Sequence, residues 1–139
     1  MGCLSGVPEL GKALTALKHR AERAAAAAAR RTADEVQTTA QVLLSTRSHP
    51  PGTPTPSSPG SPPARIGGHL ADTIRVTGPM GGPARVGPTA VYGRIQELGG
   101  VAGRGHRTRL PPRPYMAPAW RLTRPRVGRI TRESWDRTH

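Results

Sequence analysis

"HLADTIRVTGPMGGPARVG", His69–Gly87, decides between an all-helical chain and a mixed one. Leu70 and Thr73 sit one helical turn apart, and then the pattern changes. Ile74 and Val76 alternate around Arg75, which is the period of a strand. "PARVG", Pro83–Gly87, repeats that short apolar signal after "TGPMGG", a run of turn-forming residues. The stretch therefore predicts a helical turn leading into a hairpin.

Working outward, the flanks differ sharply. Upstream lies "RSHPPGTPTPSSPGSPPAR", Arg47–Arg65. Proline fixes φ and removes donors, so neither helix nor sheet persists there. The segment reads as a plain linker or as an arm. Before it, Pro8–Thr46 reads as one long helix. Pro8 suits a first turn, Glu9 complements the positive helix end, and "AERAAAAAAR" has the strongest helix propensity available. Leu10, Leu14, Leu17, Ala21, Ala24 and Ala28 recur in alternating steps of four and three, and Val36, Ala40 and Leu43 continue a stripe after a shift. The alanine-rich middle suits either an exposed spacer or a close helix–helix contact in an oligomer.

Downstream, "AVYGRIQELGG" places Val91, Ile95 and Leu98 in helical spacing, with Gly99 and Gly100 as stops. "VAGRGHRTRLPPRP" reads as a basic loop. "YMAPAWRLTRPRVGRITRESWDRTH" reads as a terminal helix interrupted near Pro125. The expected fold class is α+β: a long N-terminal helix (1–46), a Pro/Gly/Ser-rich arm or loop (47–65), and a small core with one antiparallel sheet, a short helix and a basic C-terminal helix (66–139).

Composition limits what this chain buries by itself. Leu, Ile and Val supply 22 of 139 residues, about 16%, and there is no phenylalanine. A fraction that low with a formal charge of +13 belongs to chains that are partly disordered or that complete their core against other subunits. Cys3 is the only cysteine, which excludes an internal disulfide and a CxxC metal site. "MGCLSG" departs from the myristoylation pattern, with Gly6 where serine or threonine is needed. No apolar run approaches the roughly 20 residues of a membrane span, so no membrane partner is expected.

The usual signs of chemistry are missing. His19, His49, His69, His106 and His139 have no second ligand at metal spacing. The eight acids form no convincing acid–base pair, and no phosphate-binding glycine loop stands in a strand–helix context. No catalytic residue, metal or cofactor is expected. Charge says more. Residues 101–139 hold ten arginines against Glu133 and Asp136. Arg104, Arg107, Arg109, Arg121, Arg124, Arg126 and Arg129 are the candidates for contact with DNA or an acidic partner.

Three stretches in order, "SPPARIGGHLADTIRV", "VGPTAVYGRIQELGG" and "LPPRPYMAPAW", resemble the head–tail joining (tail-completion, or neck) proteins of long-tailed bacteriophages. Gly68, Leu70, Thr73 and Ile74 match the first family segment, with Gly67 where threonine is usual. Tyr92, Glu97 and Gly99 match the second. Pro112, Arg113, Pro114, Tyr115, Met116, Pro118 and Ala119 match the third. The resemblance implies a structural virion protein without enzymatic activity, in a ring of six copies joining the head connector to the tail. The protein would be made in the host cytoplasm and end at the head–tail junction. Implied partners are the connector, adaptor or stopper proteins on one side and the tail terminator or tail tube on the other, with non-specific contact to genomic DNA in the channel.

On that reading the subunit contacts involve Pro51, Pro54, Pro56 and Pro59 of the arm, together with Tyr92, Glu97, Arg113, Tyr115, Met116 and Trp120. Glu97, near the end of its own short helix, is expected to pair with Arg94 or Arg113. Tyr115 and Met116 are expected to anchor the start of the terminal helix. The rival function is a small basic protein that binds nucleic acid without sequence preference.

Overall fold

A computed structural model describes residues 6–46, 57–63 and 69–139. Helix α1 runs Val7–Ser45, followed by the short α2 (His69–Asp72) and strands β1 (Ile74–Thr77) and β2 (Arg85–Pro88). Helix α3 (Gly93–Leu98) leads into strands β3 (Gly100–Ala102) and β4 (Thr108–Leu110). Helices α4 (Met116–Thr123) and α5 (Val127–Asp136) end the chain, joined by a 3₁₀ turn at Arg124–Arg126. The fold is α+β, as the hairpin stretch predicts.

β1 and β2 pair antiparallel, with Val76 opposite Val86. The single sheet expected from the sequence is instead two two-stranded ones. The second forms within the segment read as a basic loop, with Val101 opposite Arg109. That hairpin carries little apolar alternation, so pairing and glycine turns define it rather than pattern. The break near Pro125 is as expected. Proline there has no N–H to donate and its ring crowds the carbonyl four residues back, so α4 passes through a tighter turn before α5.

α1 is the spine. Val36, Ala40 and Leu44, one turn apart, pack with Ala71, Ile74, Tyr115 and Ala119. Further back along α1, α5 lies antiparallel: Arg20 reaches Trp135 while Arg31 reaches Ile130. Ala24 and Ala28, buried between those two arginines, are small enough to admit a close neighbour. Two α1 glutamines face inward and satisfy carbonyls of α2 and β1. The Gln37 side-chain amide donates to the Ile74 carbonyl at 2.8 Å and that of Gln41 to the Ala71 carbonyl at 3.2 Å. Buried Thr123 and Ser134 spend their hydroxyls on carbonyls four residues back, which lets polar side chains occupy packed positions.

Candidate assembly surfaces

The second and third family-like stretches fold into one hydrogen-bonded unit. Glu97, on α3, caps the first turn of α4. One carboxylate oxygen accepts the backbone N–H groups of Tyr115 at 2.7 Å and Met116 at 2.9 Å, and the other accepts that of Ala117 at 3.0 Å. These are donors that a helix start leaves without internal partners, and a negative charge suits the positive helix end. The expected pairing of Glu97 with Arg94 or Arg113 is therefore corrected. Position on its own helix is a poor guide to an acid that serves the next helix.

Tyr115 is fully buried, and its hydroxyl donates to the Gly93 carbonyl at 3.0 Å. Burial, with the Glu97 carboxylate nearby, holds its phenol well above the ordinary value. A Cβ on Gly93 would lie 2.6 Å from Pro88, so only glycine lets α3 start this close to β2. Gly99 has φ +70°, and a Cβ there would meet the Leu110 carbonyl and the Pro112 nitrogen at 2.8 Å. Arg113 is buried too: its N–H donates to the Gln96 carbonyl and its side-chain Nε to the Ser57 carbonyl, at 2.7 and 2.9 Å.

Tyr115 and Arg113, expected at subunit contacts, thus lie inside their own chain. Met116 packs on the core as an anchor, and Glu97 is occupied. Pro51, Pro54 and Pro56 lie outside the described residues. The end of the arm folds back on its own chain, with Ser57 held by Arg113 and the Gly60 N–H donating to the Pro112 carbonyl at 2.9 Å. Pro59, Tyr92 and Trp120 remain exposed.

Two apolar surfaces have no cover among the described residues. The first is the leading part of α1, where Val7, Leu10, Leu14 and Leu17 are each at least half exposed. The second is an open groove between α3 and the second hairpin, lined by Leu98, Val101, Leu110 and Pro111, with Arg109 at the edge. Val91 and Ile95 extend it along α3.

The arginines divide as well. Arg126, in the turn before α5, pairs with Glu35 of α1 at 3.1 Å, and Arg129 lies 3.8 Å from Glu133 on its own helix. Arg104, Arg107, Arg109, Arg121 and Arg124 are exposed and make no ion pair among the described residues.

Sequence reasoning missed Arg20, Arg31 and Trp135. Arg31 bonds to Glu133 at 2.6 Å and to the Ser134 hydroxyl at 3.2 Å, and the Arg20 guanidinium stacks 4.4 Å from the Trp135 ring centre. The hydrogen bond from Arg31 holds the Glu133 carboxyl below its ordinary value. Basic residues flanking an alanine run, with one late tryptophan, were the only signal available. No helix among the described residues is long and apolar enough to cross a membrane. Compared with known proteins, the chain matches no family model, no curated protein and no solved structure.

Proposed function

We propose that this chain is a structural subunit of a homo-oligomeric ring at the head–tail junction of a long-tailed bacteriophage, joining the head connector to the tail. The observation that carries the ring is the apolar stripe on the leading part of α1. Four large aliphatic side chains stand in water there, in a chain with few to spare. Covering the half of each that is still exposed contributes on the order of 1 kcal/mol, which makes a subunit contact the natural use of the stripe. The groove between α3 and the second hairpin gives the same chain a second, differently shaped apolar surface. Two unlike surfaces on one subunit suit a head-to-tail contact that closes into a ring.

The neck location is supported by the three family-like stretches. In this chain two of them fold together through Glu97, which makes them one structural unit.

Two measurements test the reading. By sedimentation, the full chain should associate as its concentration rises, and the double substitution Leu14→Glu, Leu17→Glu should abolish association without loss of helix by circular dichroism. A wild-type chain that stays monomeric at high concentration ends the ring. In the particle, deleting the gene should leave DNA-filled heads and separate tails in the lysate. Normal numbers of joined, infectious particles from the deletion end the neck assignment.

A further inference from the structure

We propose that the tip of the β3–β4 hairpin is a phosphate site that grips the backbone of double-stranded DNA. The inference does not rest on the ring: it concerns one hairpin and is tested separately.

Charge comes first. No acidic residue occurs between Glu97 and Glu133, and Glu97 is consumed by the α4 cap. The hairpin sits inside this acid-free stretch. Arg104, His106, Arg107 and Arg109 are all exposed on it, and none of these arginines has a carboxylate partner among the described residues. They are spent neither on the fold nor on each other.

Backbone geometry comes second. Gly103, Gly105 and His106 all have positive φ, at +82°, +75° and +52°. His106 is the only non-glycine in that region among the described residues. A side-chain-bearing residue held there costs energy and marks a segment whose shape is otherwise fixed. Arg107 then returns to right-handed geometry, φ −92° and ψ −18°. A left-handed residue followed by a right-handed one turns successive N–H groups toward the same side. Such a concavity carries partial positive charge and accepts an anion. The His106 N–H is already bound to the Gly103 carbonyl and Thr108 enters β4 opposite Ala102, so Arg107 is the residue at the bend between them and its side chain joins its N–H at the tip.

Shape comes third. A two-stranded ribbon fits the width of a DNA groove. The glycines at the tip leave its backbone uncovered, so phosphates can approach closely. Arginines on a short tip neutralise phosphates whatever the sequence, and the comparison of unrelated duplexes separates that from pairing of an arginine with a guanine edge.

The test uses the full chain and two unrelated duplexes, with affinity measured across a salt series. The variant is Arg104→Ala, Arg107→Ala, Arg109→Ala. The control, Arg121→Ala, Arg124→Ala, Arg132→Ala, removes the same charge from exposed positions outside the hairpin. The wild-type chain should bind both duplexes alike. The hairpin variant should lose at least tenfold in affinity at low salt, with the salt slope reduced by about 2–3, near 0.9 per lost phosphate contact. The control should lose less than a third as much. A single Arg107→Lys change, which keeps the charge, should retain most of the binding, and circular dichroism should be unchanged in all variants.

Equal losses from the two triple variants would overturn the proposal, since charge alone would then account for binding. So would a strong preference for one duplex. Inorganic phosphate that displaces DNA beyond the effect of chloride at equal ionic strength would make this a free-phosphate site and overturn the DNA assignment. Binding of polyglutamate that depends on the same three arginines, with DNA binding unaffected, would assign the tip to an acidic protein instead.

Discussion

Glu97, Tyr115 and Gly93 show how few atoms hold the two family-like stretches together. A carboxylate accepting three backbone N–H groups is a charge-assisted cap, stronger than a neutral one. Glu97→Gln keeps one accepting oxygen and turns the other toward the helix as a donor. The expected cost is about 1–2 kcal/mol, read as a lower denaturant midpoint with an unchanged slope. Tyr115→Phe keeps the packing and leaves the Gly93 carbonyl without its donor, for roughly 1 kcal/mol. Gly93→Ala should cost more than either, because its Cβ meets Pro88 at 2.6 Å and something must move. A Glu97→Gln protein as stable as wild type would remove the cap from this account. Tyr115 was legible as an apolar anchor at the start of the terminal helix, and Glu97 as an acid in need of a partner. The partner of Glu97 was not, because a cap supplied by another helix leaves no mark in local spacing. Gly93 was invisible for a similar reason: what demands glycine there is a proline ring from β2.

At the scale of elements, the two ends of α1 do different work. Residues from Ala24 to Leu44 bury a face, while Val7–His19 contribute no buried residue and extend about 20 Å at helical rise. The alternating steps of four and three located Ala24 and Ala28, but Leu10, Leu14, Leu17 and Ala21 of the same stripe are exposed, and Leu44 rather than Leu43 follows Val36 and Ala40 into the core. The steps could not distinguish the part of the seam covered by α5 from the part left open, since both carry the same pattern. The β3–β4 hairpin was missed because its order comes from left-handed glycines and strand pairing, and its side chains are mostly arginine. The α1–α5 contact should respond to acid. Glu133 has its carboxyl held low by Arg31, so its stabilising effect is complete above its ordinary value of 4.5. It is lost as pH falls through the lower value it has in the folded chain. Acidification should loosen α5 before the rest, with Trp135 emission changing first. Glu133→Gln should flatten that dependence and leave the neutral-pH fold in place. An unchanged acid midpoint in Glu133→Gln would shift the sensitivity to another carboxylate, with Glu35 and its partner Arg126 the next to test.

Taken whole, α1 is a long helix against which α2, β1, β2, α4 and α5 pack, and the α+β class follows from one sequence stretch, His69–Gly87. What composition indicated, a thin core, agrees with the small cluster of Val36, Ala40, Leu44, Ala71, Ile74, Tyr115 and Ala119 among the described residues. The contact between Arg20 and Trp135 joins residues 115 positions apart. That separation has a kinetic consequence. The alanine-rich helix has everything it needs locally and can form in roughly a microsecond or less. Its burial waits for the far end of the chain to return, and closing a loop of that length is an entropic barrier that local helix formation cannot lower. Refolding should therefore split into two clocks. Helical ellipticity should recover largely within the dead time of a stopped-flow instrument, and the Trp135 signal, read in a Trp120→Phe background, should follow later in a single slower phase. Simultaneous recovery of both signals would mean that α1 is not helical until α5 covers it.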